Sequence, residues 1–481
     1  MRTRPRSGLV LLLCCLAQFM VVLDVAIVNV ALPTIQRDLH ITQGSVQWIV
    51  TAYGLMLGGF LLLGGRIADL WGRRRTLITG LAVFTTASVL AGFAGSTGVL
   101  VAARAVQGLG AAMVPPAALA ILAVTFAEGA QRNRALGVYG ATTGISASIG
   151  VLASGLLTAG PGWRWIFFIN APVGVGLIAL GVLLLPHQAP GRAVRQRFDL
   201  GGALTATGGL LLLVYAVSRS STHGWRSTGT LGLLAASAVA FVVFVVIETR
   251  SSAPLVPAAA VRNRSLVAAN LAAFLLFGAI FASIFLGSLL MQQALGYSPT
   301  RTGLAWLATT VTSFVTAATS GAKLVGIVGP RRLITAGFGV LAVAAYLLTR
   351  VPAHPHYASS LMPMLILTGF AGGLAAPAVQ ISALTGVHHD MAGLAGGLVE
   401  TMREVGGGIS VAVAATVLAS RGLDAHAFHR AYWVVFAAAG LGLLVTLVAF
   451  PRRGRGGDLS IASGKRRGGE PIPQPTGPTH R

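Results

Sequence analysis

Long apolar runs broken by short polar segments recur along the chain. They cover residues 8–33, 45–65, 76–96, 98–125, 134–159, 165–185, 200–218, 228–247, 265–291, 302–322, 333–350, 360–385, 393–419 and 431–450. Each is close to the ~20 residues that an α-helix needs to cross a bilayer. The pattern therefore predicts an all-α polytopic membrane protein with fourteen transmembrane helices. Alternating segments of about ten residues, the mark of a membrane β-barrel, are absent from the sequence. Arg2, Arg4 and Arg6 precede the first run, as in a signal peptide. That run is too long for one, and a second span follows directly, so it reads as an uncleaved first helix.

Composition agrees. Of 481 residues, 54% are hydrophobic and 10% charged, and the mean hydropathy is +0.78. Soluble chains carry roughly 25% charged residues, so a cytosolic enzyme is excluded. The net charge of +23 would suit nucleic-acid binding if it lay on one surface. It lies instead in short clusters between apolar runs. With the N-terminus placed inside, 25 of the 35 basic residues fall in cytoplasmic segments and eight outside; Arg104 and Arg403 lie within spans. This bias orients both termini to the cytoplasm and makes the protein a multi-pass component of the inner (cytoplasmic) membrane. The Arg-, Gly- and Pro-rich tail from Pro451 reads as disordered.

Little suggests catalysis or a cofactor. Cys14 and Cys15 are adjacent in an apolar run, and no Cys/His spacing suits a metal. His388, His389 and Asp390 read as a solvated connection. No phosphate-binding lysine loop appears, so ATP is not the direct energy source, and no nucleophile–base arrangement points to an enzyme. Trp163 and Trp165 fit an aromatic belt at the outer interface.

The chain also repeats itself. The third helix is preceded by Gly65-Arg-Ile-Ala-Asp69-Leu-Trp-Gly72-Arg73-Arg74-Arg75, and the eleventh by a degenerate copy, Gly321-Ala-Lys323-Leu-Val-Gly326-Ile-Val-Gly329-Pro-Arg331-Arg332. The fourth helix carries Gly108-Leu-Gly110 and, further on, Pro115; the twelfth carries Gly369, Gly372, Gly373 and Pro377. Two related six-helix halves with two extra helices between them account for fourteen, and related halves are a transporter architecture. The expected division is a cytoplasmic N-terminus (1–7), a first bundle (8–185), two extra helices with linkers (186–264), a second bundle (265–450) and a tail (451–481).

Four of these stretches resemble the fourteen-helix drug:proton antiporter branch of the major facilitator superfamily. Gly65–Arg75 is similar to the superfamily's cytoplasmic signature. Arg104, Gln107, Gly108 and Gly110 resemble its fourth-helix motif. Leu23-Asp24-Val-Ala-Ile-Val-Asn29-Val-Ala-Leu-Pro33 resembles the first-helix motif of the drug-efflux branch. Trp163-Arg164-Trp165-Ile-Phe-Phe-Ile-Asn170-Ala-Pro172 is typical of fourteen-helix members. The helix-five antiporter motif departs from its pattern: Gly150, Ser154 and Gly155 stand with Val151 in place of the usual proline. Without proline the N–H at 151 can stay in the helical ladder, so a kink there loses its main cause.

Charges inside a membrane are costly and mark function. Asp24 lies nine residues before Pro33, roughly 13 Å from the outer end, and Arg104 lies roughly 9 Å deep. The pair reads as a proton-carrying carboxylate tuned by a guanidinium, or as a permanent ion pair that fixes helix packing. Helix thirteen holds Glu400, Arg403 and Glu404 at spacings that share a face. Two carboxylates around one arginine favour a protonated member, a bound cationic substrate, or a polar cluster at a helix contact. Asp69 and Arg73 are expected in a cytoplasmic loop, with the acid beside a helix N-terminus and with Gly65 and Gly72 permitting a tight turn. The resemblance implies that this loop latches the two halves.

Together these features imply proton-driven efflux of small amphipathic drugs by alternating access. The protein would act as a monomer in the lipid bilayer, with protons as the partner ion, no metal, no cofactor and no nucleic acid. A dedicated exporter of one metabolite, self-produced antibiotic or siderophore is the alternative, and a non-transporting sensor or scaffold a remote one.

Overall fold

The structure, a computed structural model, describes residues 4–41, 43–46, 48–186, 199–251, 254–320, 324–352, 356–419 and 425–450. The basic linker around Arg192, Arg195 and Arg197, the repeat residues Gly321 and Lys323, and the tail 451–481 lie outside the described residues. So do the side chains of Pro33 and Val151 and the surroundings of Gly155.

Among the described residues there is no strand. Each apolar run falls on a helix: α1 (Arg4–Asp38), α2 (Trp48–Trp71), α3 (Arg73–Gly92), α4 (Thr97–Thr125), α5 (Ala130–Ala159), α6 (Asn170–Leu184), α7 (Leu200–His223), α8 (Thr228–Arg250), α9 (Arg264–Leu289), α10 (Pro299–Thr319), α11 (Pro330–Leu348), α12 (Met362–Leu384), α13 (Ala392–Ala419) and α14 (Ala425–Ala449). Among the described residues, eleven helical segments are long and apolar enough to cross a membrane; α5, α10 and α13 are not among them. Polar side chains start several helices. Ser96, Asp199, Ser227, Asn263 and Ser298 each accept a main-chain N–H of the first turn of α4, α7, α8, α9 and α10, satisfying groups that a helix leaves unpaired.

Packing repeats along the chain. In the first six helices α1 lies on α5, α2 on α4, and α3 on α4 and α6. In the last six α9 lies on α13, α10 on α12, and α11 on α12 and α14. Small residues allow these approaches in both copies. A Cβ on Gly108 would come 2.4 Å from the Tyr53 oxygen, and one on Gly369 would come 2.2 Å from the Thr309 oxygen. Gly72 and Gly329, with φ of 103° and 86°, turn the chain into α3 and α11, a conformation that favours glycine.

Two expectations change. The signature segment 65–75 is not a loop: α2 continues to Trp71 and α3 begins at Arg73, so Gly72 is the whole turn. Helix still forms there because nothing from Gly65 to Trp71 breaks it. Trp163 is not a belt residue. It is 3% exposed, and its indole N–H donates to Asp38 Oδ2 at 2.8 Å. Arg164 lies over the Trp163 ring and donates to the same oxygen at 2.8 Å. The Trp163 and Arg164 hydrogen bonds hold the Asp38 carboxyl below its ordinary value. This contact therefore contributes above the usual carboxylate range and is lost only as pH falls through the lowered value. Trp165 is half exposed.

α5 runs without interruption from Ala130 to Ala159. A Cβ on Gly150 would meet Ala26 Cβ at 2.8 Å, and the buried Ser154 hydroxyl donates to the Ile27 oxygen at 2.6 Å. The helix-five motif is thus a close seam between α1 and α5. Ser154→Ala should cost about 1 kcal/mol, seen as a small fall in thermal stability of the purified protein with the fold retained.

Candidate functional site

Asp24 and Arg104 meet. Arg104 Nη1 donates to Asp24 Oδ2, and both side chains are essentially sealed, 0% and 1% exposed. The other carboxylate oxygen accepts from Gln107 Nε2 at 2.9 Å and from Asn170 Nδ2 at 3.1 Å. Asn170 also donates to Ser88 Oγ, and Ser88 in turn to the Phe167 oxygen. The guanidinium is held by Gln107 Oε1 and the Ile49 oxygen and lies 4.1 Å over the Tyr53 ring. Five helices thus converge on one carboxylate: α1 supplies the acid, α2 the ring and a carbonyl, α3 Ser88, α4 Arg104 and Gln107, and α6 Asn170. Each engaged lone pair of the carboxylate faces a donor.

Asn29, of the same first-helix motif, is not part of this network. It is exposed and donates to the Val25 oxygen of its own helix.

A second charged cluster lies on α13. Arg403 pairs with Glu400 on one side, and its Nε and Nη2 donate to Glu404 Oε1 at 3.1 and 2.8 Å. Glu400 is 1% exposed, whereas the Glu404 side chain is 26% exposed. One arginine serves two carboxylates, which leaves a surplus negative charge when both are ionised. Across from it, the Tyr139 hydroxyl of α5 donates to Gln18 Oε1 of α1 at 2.8 Å, and Gln18 Nε2 is buried without a partner among the described residues.

The latch residues also meet partners, though not those expected. Asp69, in the last turn of α2, accepts the main-chain N–H groups of Gly393 and Leu394, both at 2.8 Å. These are free first-turn donors of α13, where the helix dipole favours an anion. The helix N-terminus beside Asp69 is that of α13, not of the α3 that follows it in sequence. Arg73 Nη2 donates to the His389 carbonyl just before α13. Gly65 is required by close approach rather than by a turn: a Cβ there would lie 2.3 Å from the Gly393 oxygen. Nearby, Arg132 of α5 donates to the Leu384 oxygen at the end of α12. Hydrogen bonds joining residues 4–186 to residues 264–450 cluster at this end, called the latch end below.

Among the described residues no group of His, Cys, Asp and Glu could hold a metal, and Cys14 and Cys15 are buried and unlinked.

A family model described as Major Facilitator Superfamily matches residues 14–411. The chain belongs to this superfamily. Its members and the relatives found are transporters rather than enzymes. The chain is 41% identical over 419 residues to a puromycin resistance protein of Streptomyces alboniger, covering 85% of this chain and 81% of that one. It is 37% identical over 414 residues to a cephamycin export protein of Amycolatopsis lactamdurans, covering 85% of each. The human organic anion transporter MFSD10 has the same fold, with a TM-score of 0.67, 15% identity, and coverage of 92% of this chain and 99% of that one. The protein is therefore a multi-pass membrane protein with the superfamily's all-helical fold.

Sequence reasoning placed Asp24 with Arg104 and Glu400 with Arg403 and Glu404. It did not assign roles to Asn170, Ser88, Tyr53, Gln18 and Tyr139, or find the main-chain partners of Asp69. Asn170 and Gln107 lay within quoted motifs, so their polarity on otherwise apolar helices was the available signal.

Proposed function

We propose that this protein exports small amphipathic drugs or antibiotics across the cytoplasmic membrane, driven by the proton gradient. The buried Asp24 carboxylate, ringed by Arg104, Gln107 and Asn170, is the observation that carries the reading. An isolated carboxylate at that depth would be costly, and a network with two discrete arrangements can load and release a proton. Relatives named for puromycin resistance and cephamycin export support the substrate class.

In this reading α5, α10 and α13 also cross the membrane, completing fourteen spans. Their lower hydropathy fits helices whose polar faces turn inward. The repeated pairings support first and second bundles at 8–185 and 265–450, with the pair α7–α8 between them. Both termini are cytoplasmic on the charge bias, so the latch end faces the cytoplasm and this conformation is shut there. Asp24 carries the proton and Arg104 tunes it. Asp69, Arg73, Gly65 and Gly72 form the cytoplasmic gate. The transporter works as a monomer with protons as the only coupling species and no cofactor.

The α13 cluster selects for cations. Glu404 is the accessible carboxylate and the Glu400–Arg403 pair sets its field. Glu400→Gln removes the surplus charge, so export of a cationic dye should fall about tenfold, the effect of ~1.4 kcal/mol, with neutral drugs little changed. Unchanged cation export overturns this assignment.

Two relatives are named for single antibiotics, which supports the alternative of one dedicated substrate. A susceptibility panel in an efflux-deficient host, paired with pH-driven dye flux in proteoliposomes, separates the readings. Broad protection marks a multidrug exporter, protection from one compound a dedicated one. No flux of any compound would overturn transport in favour of a sensor or scaffold.

A further inference from the structure

A cavity of about 330 Å³ opens at the latch end and shares Leu394 with the Asp69 contacts. One wall is the short helix Ala258–Arg262 that leads from α8 into α9. The opposite wall is the turn between α12 and α13 with the first residues of α13, including Val387, His388 and Leu394. The short helix is itself tied down. Glu248 at the end of α8 accepts the N–H groups of Leu255 and Val256 at 2.8 and 3.1 Å, and Arg66 of α2 donates to the Pro254 oxygen at 3.4 Å.

The cavity has a divided chemistry. Its interior is apolar, with Leu266 and Leu394 nearly or fully buried. Its rim carries exposed Arg262, with exposed Arg264 beside it. Neither arginine has an ion-pair partner among the described residues. A carboxylate stands near the rim: Asp390, which is exposed and lies 3.3 Å from His388. An exposed apolar track leads away. Asn263 lines the cavity, and Val267 and Leu271 follow it at four-residue intervals on α9, 38% and 46% exposed. That spacing keeps them on one face, and the track descends from the start of a spanning segment toward its middle.

We propose that this cavity binds an anionic phospholipid of the adjacent leaflet. The headgroup phosphate sits at the Arg262 rim and an acyl chain lies along Val267 and Leu271. A basic pocket at a helix end and an apolar track into the bilayer match the two ends of that ligand; a soluble anion would use only the rim. The bound lipid bears on the gate through Leu394, which lines the cavity and whose N–H is held by Asp69. Occupancy braces the start of α13 against the short helix and favours the latched state. The leaflet is the inner one on the orientation proposed above, but the binding itself does not depend on transport.

The test uses the full chain purified in detergent and native mass spectrometry with phosphatidylglycerol as the probe. Wild type retains the lipid. Arg262→Gln lowers retention about fivefold, the worth of one basic side chain near a charged membrane surface, and Arg262→Lys restores it. Ala260→Phe, which fills the cavity from the short helix, abolishes retention, and Asp390→Asn raises it by removing a repelling charge. Equal retention by wild type, Arg262→Gln and Ala260→Phe, each monodisperse, overturns the proposal. Displacement of the lipid by millimolar inorganic phosphate also overturns it, because it would place a soluble anion at the site. Loss of drug export in every lipid mixture, with the retention pattern intact, would count against the export reading and leave the lipid site standing.

Discussion

Asp24→Asn should reduce pH-driven export to the level of empty vesicles. The amide is nearly the same size as the acid, so the packing of α1 against α4 and α6 can survive. Its chemistry cannot. One carboxylate oxygen faces Arg104, and the other faces Gln107 Nε2 and Asn170 Nδ2. An Asn side chain must turn an NH₂ toward one of these donor sets, and it leaves the Arg104 charge buried without its counter-ion. Breaking a buried pair from one side costs about 3–5 kcal/mol, so the variant should also melt at a lower temperature. Stability alone would not explain the phenotype, and Asp24→Glu makes the distinction. It keeps a titratable group at the cost of an extra methylene, so it should retain some pH-driven flux while being comparably destabilised. Drug-dye flux in proteoliposomes under an imposed pH gradient reads both. Undiminished gradient-driven flux in Asp24→Asn would mean that the pair only fixes helix packing.

The second large effect is expected at Gly65. A Cβ at this position meets the Gly393 oxygen at 2.3 Å, and the Gly397 Cα is 3.1 Å away. Both obstacles are main chain, so no rotamer change relieves them, and α2 and α13 must separate. Gly65→Ala should open the latch end and stop export, while each group of six helices keeps its own packing. Gly108→Ala is the control, because the Tyr53 oxygen it would strike belongs to the same six helices. That variant should instead lose about 1–3 kcal/mol of stability through overpacking. Leu119 is fully buried and lies against Gly396 of α13. A cysteine at Leu119, in a background lacking Cys14 and Cys15, should react with a water-soluble thiol reagent faster in Gly65→Ala. Equal labelling would show that α2 and α13 tolerate the methyl group.

Much of this architecture could be read from sequence because the membrane imposes a one-dimensional rule. Apolar length reports a spanning helix, and charge is so rare within spans that Asp24, Arg104, Glu400, Arg403 and Glu404 stood out. Their meeting in two clusters follows from the cost of leaving any of them alone. The latch could not be read in the same way. Asp69 is 324 residues from its partner, and that partner is the peptide N–H of Gly393, which no side chain advertises. The end of α2 was misplaced for a related reason. Arg66, Asp69 and Gly72 resemble loop residues by composition, yet only Gly72 leaves the helix. Trp163 was assigned to the interface by residue type, whereas the acceptor that buries it, Asp38, sits on a distant segment.

The latch presents side chains, Asp69 and Arg73, on one side and only peptide groups on the other, and that asymmetry shapes how the proposed gate can change over generations. Loss of the acid cannot be rescued by swapping a charge at positions 393 and 394, because the partners there are peptide groups. Loss of Asp69 should therefore yield few second-site revertants at positions 393 and 394, and those that arise should act by restoring contact between main chains. Conversely, the residues that meet the drug can drift toward new compounds without touching the lock. A gate of the kind proposed, keyed to the backbone, lets a transporter widen or narrow its cargo while the machinery that opens and shuts it stays the same.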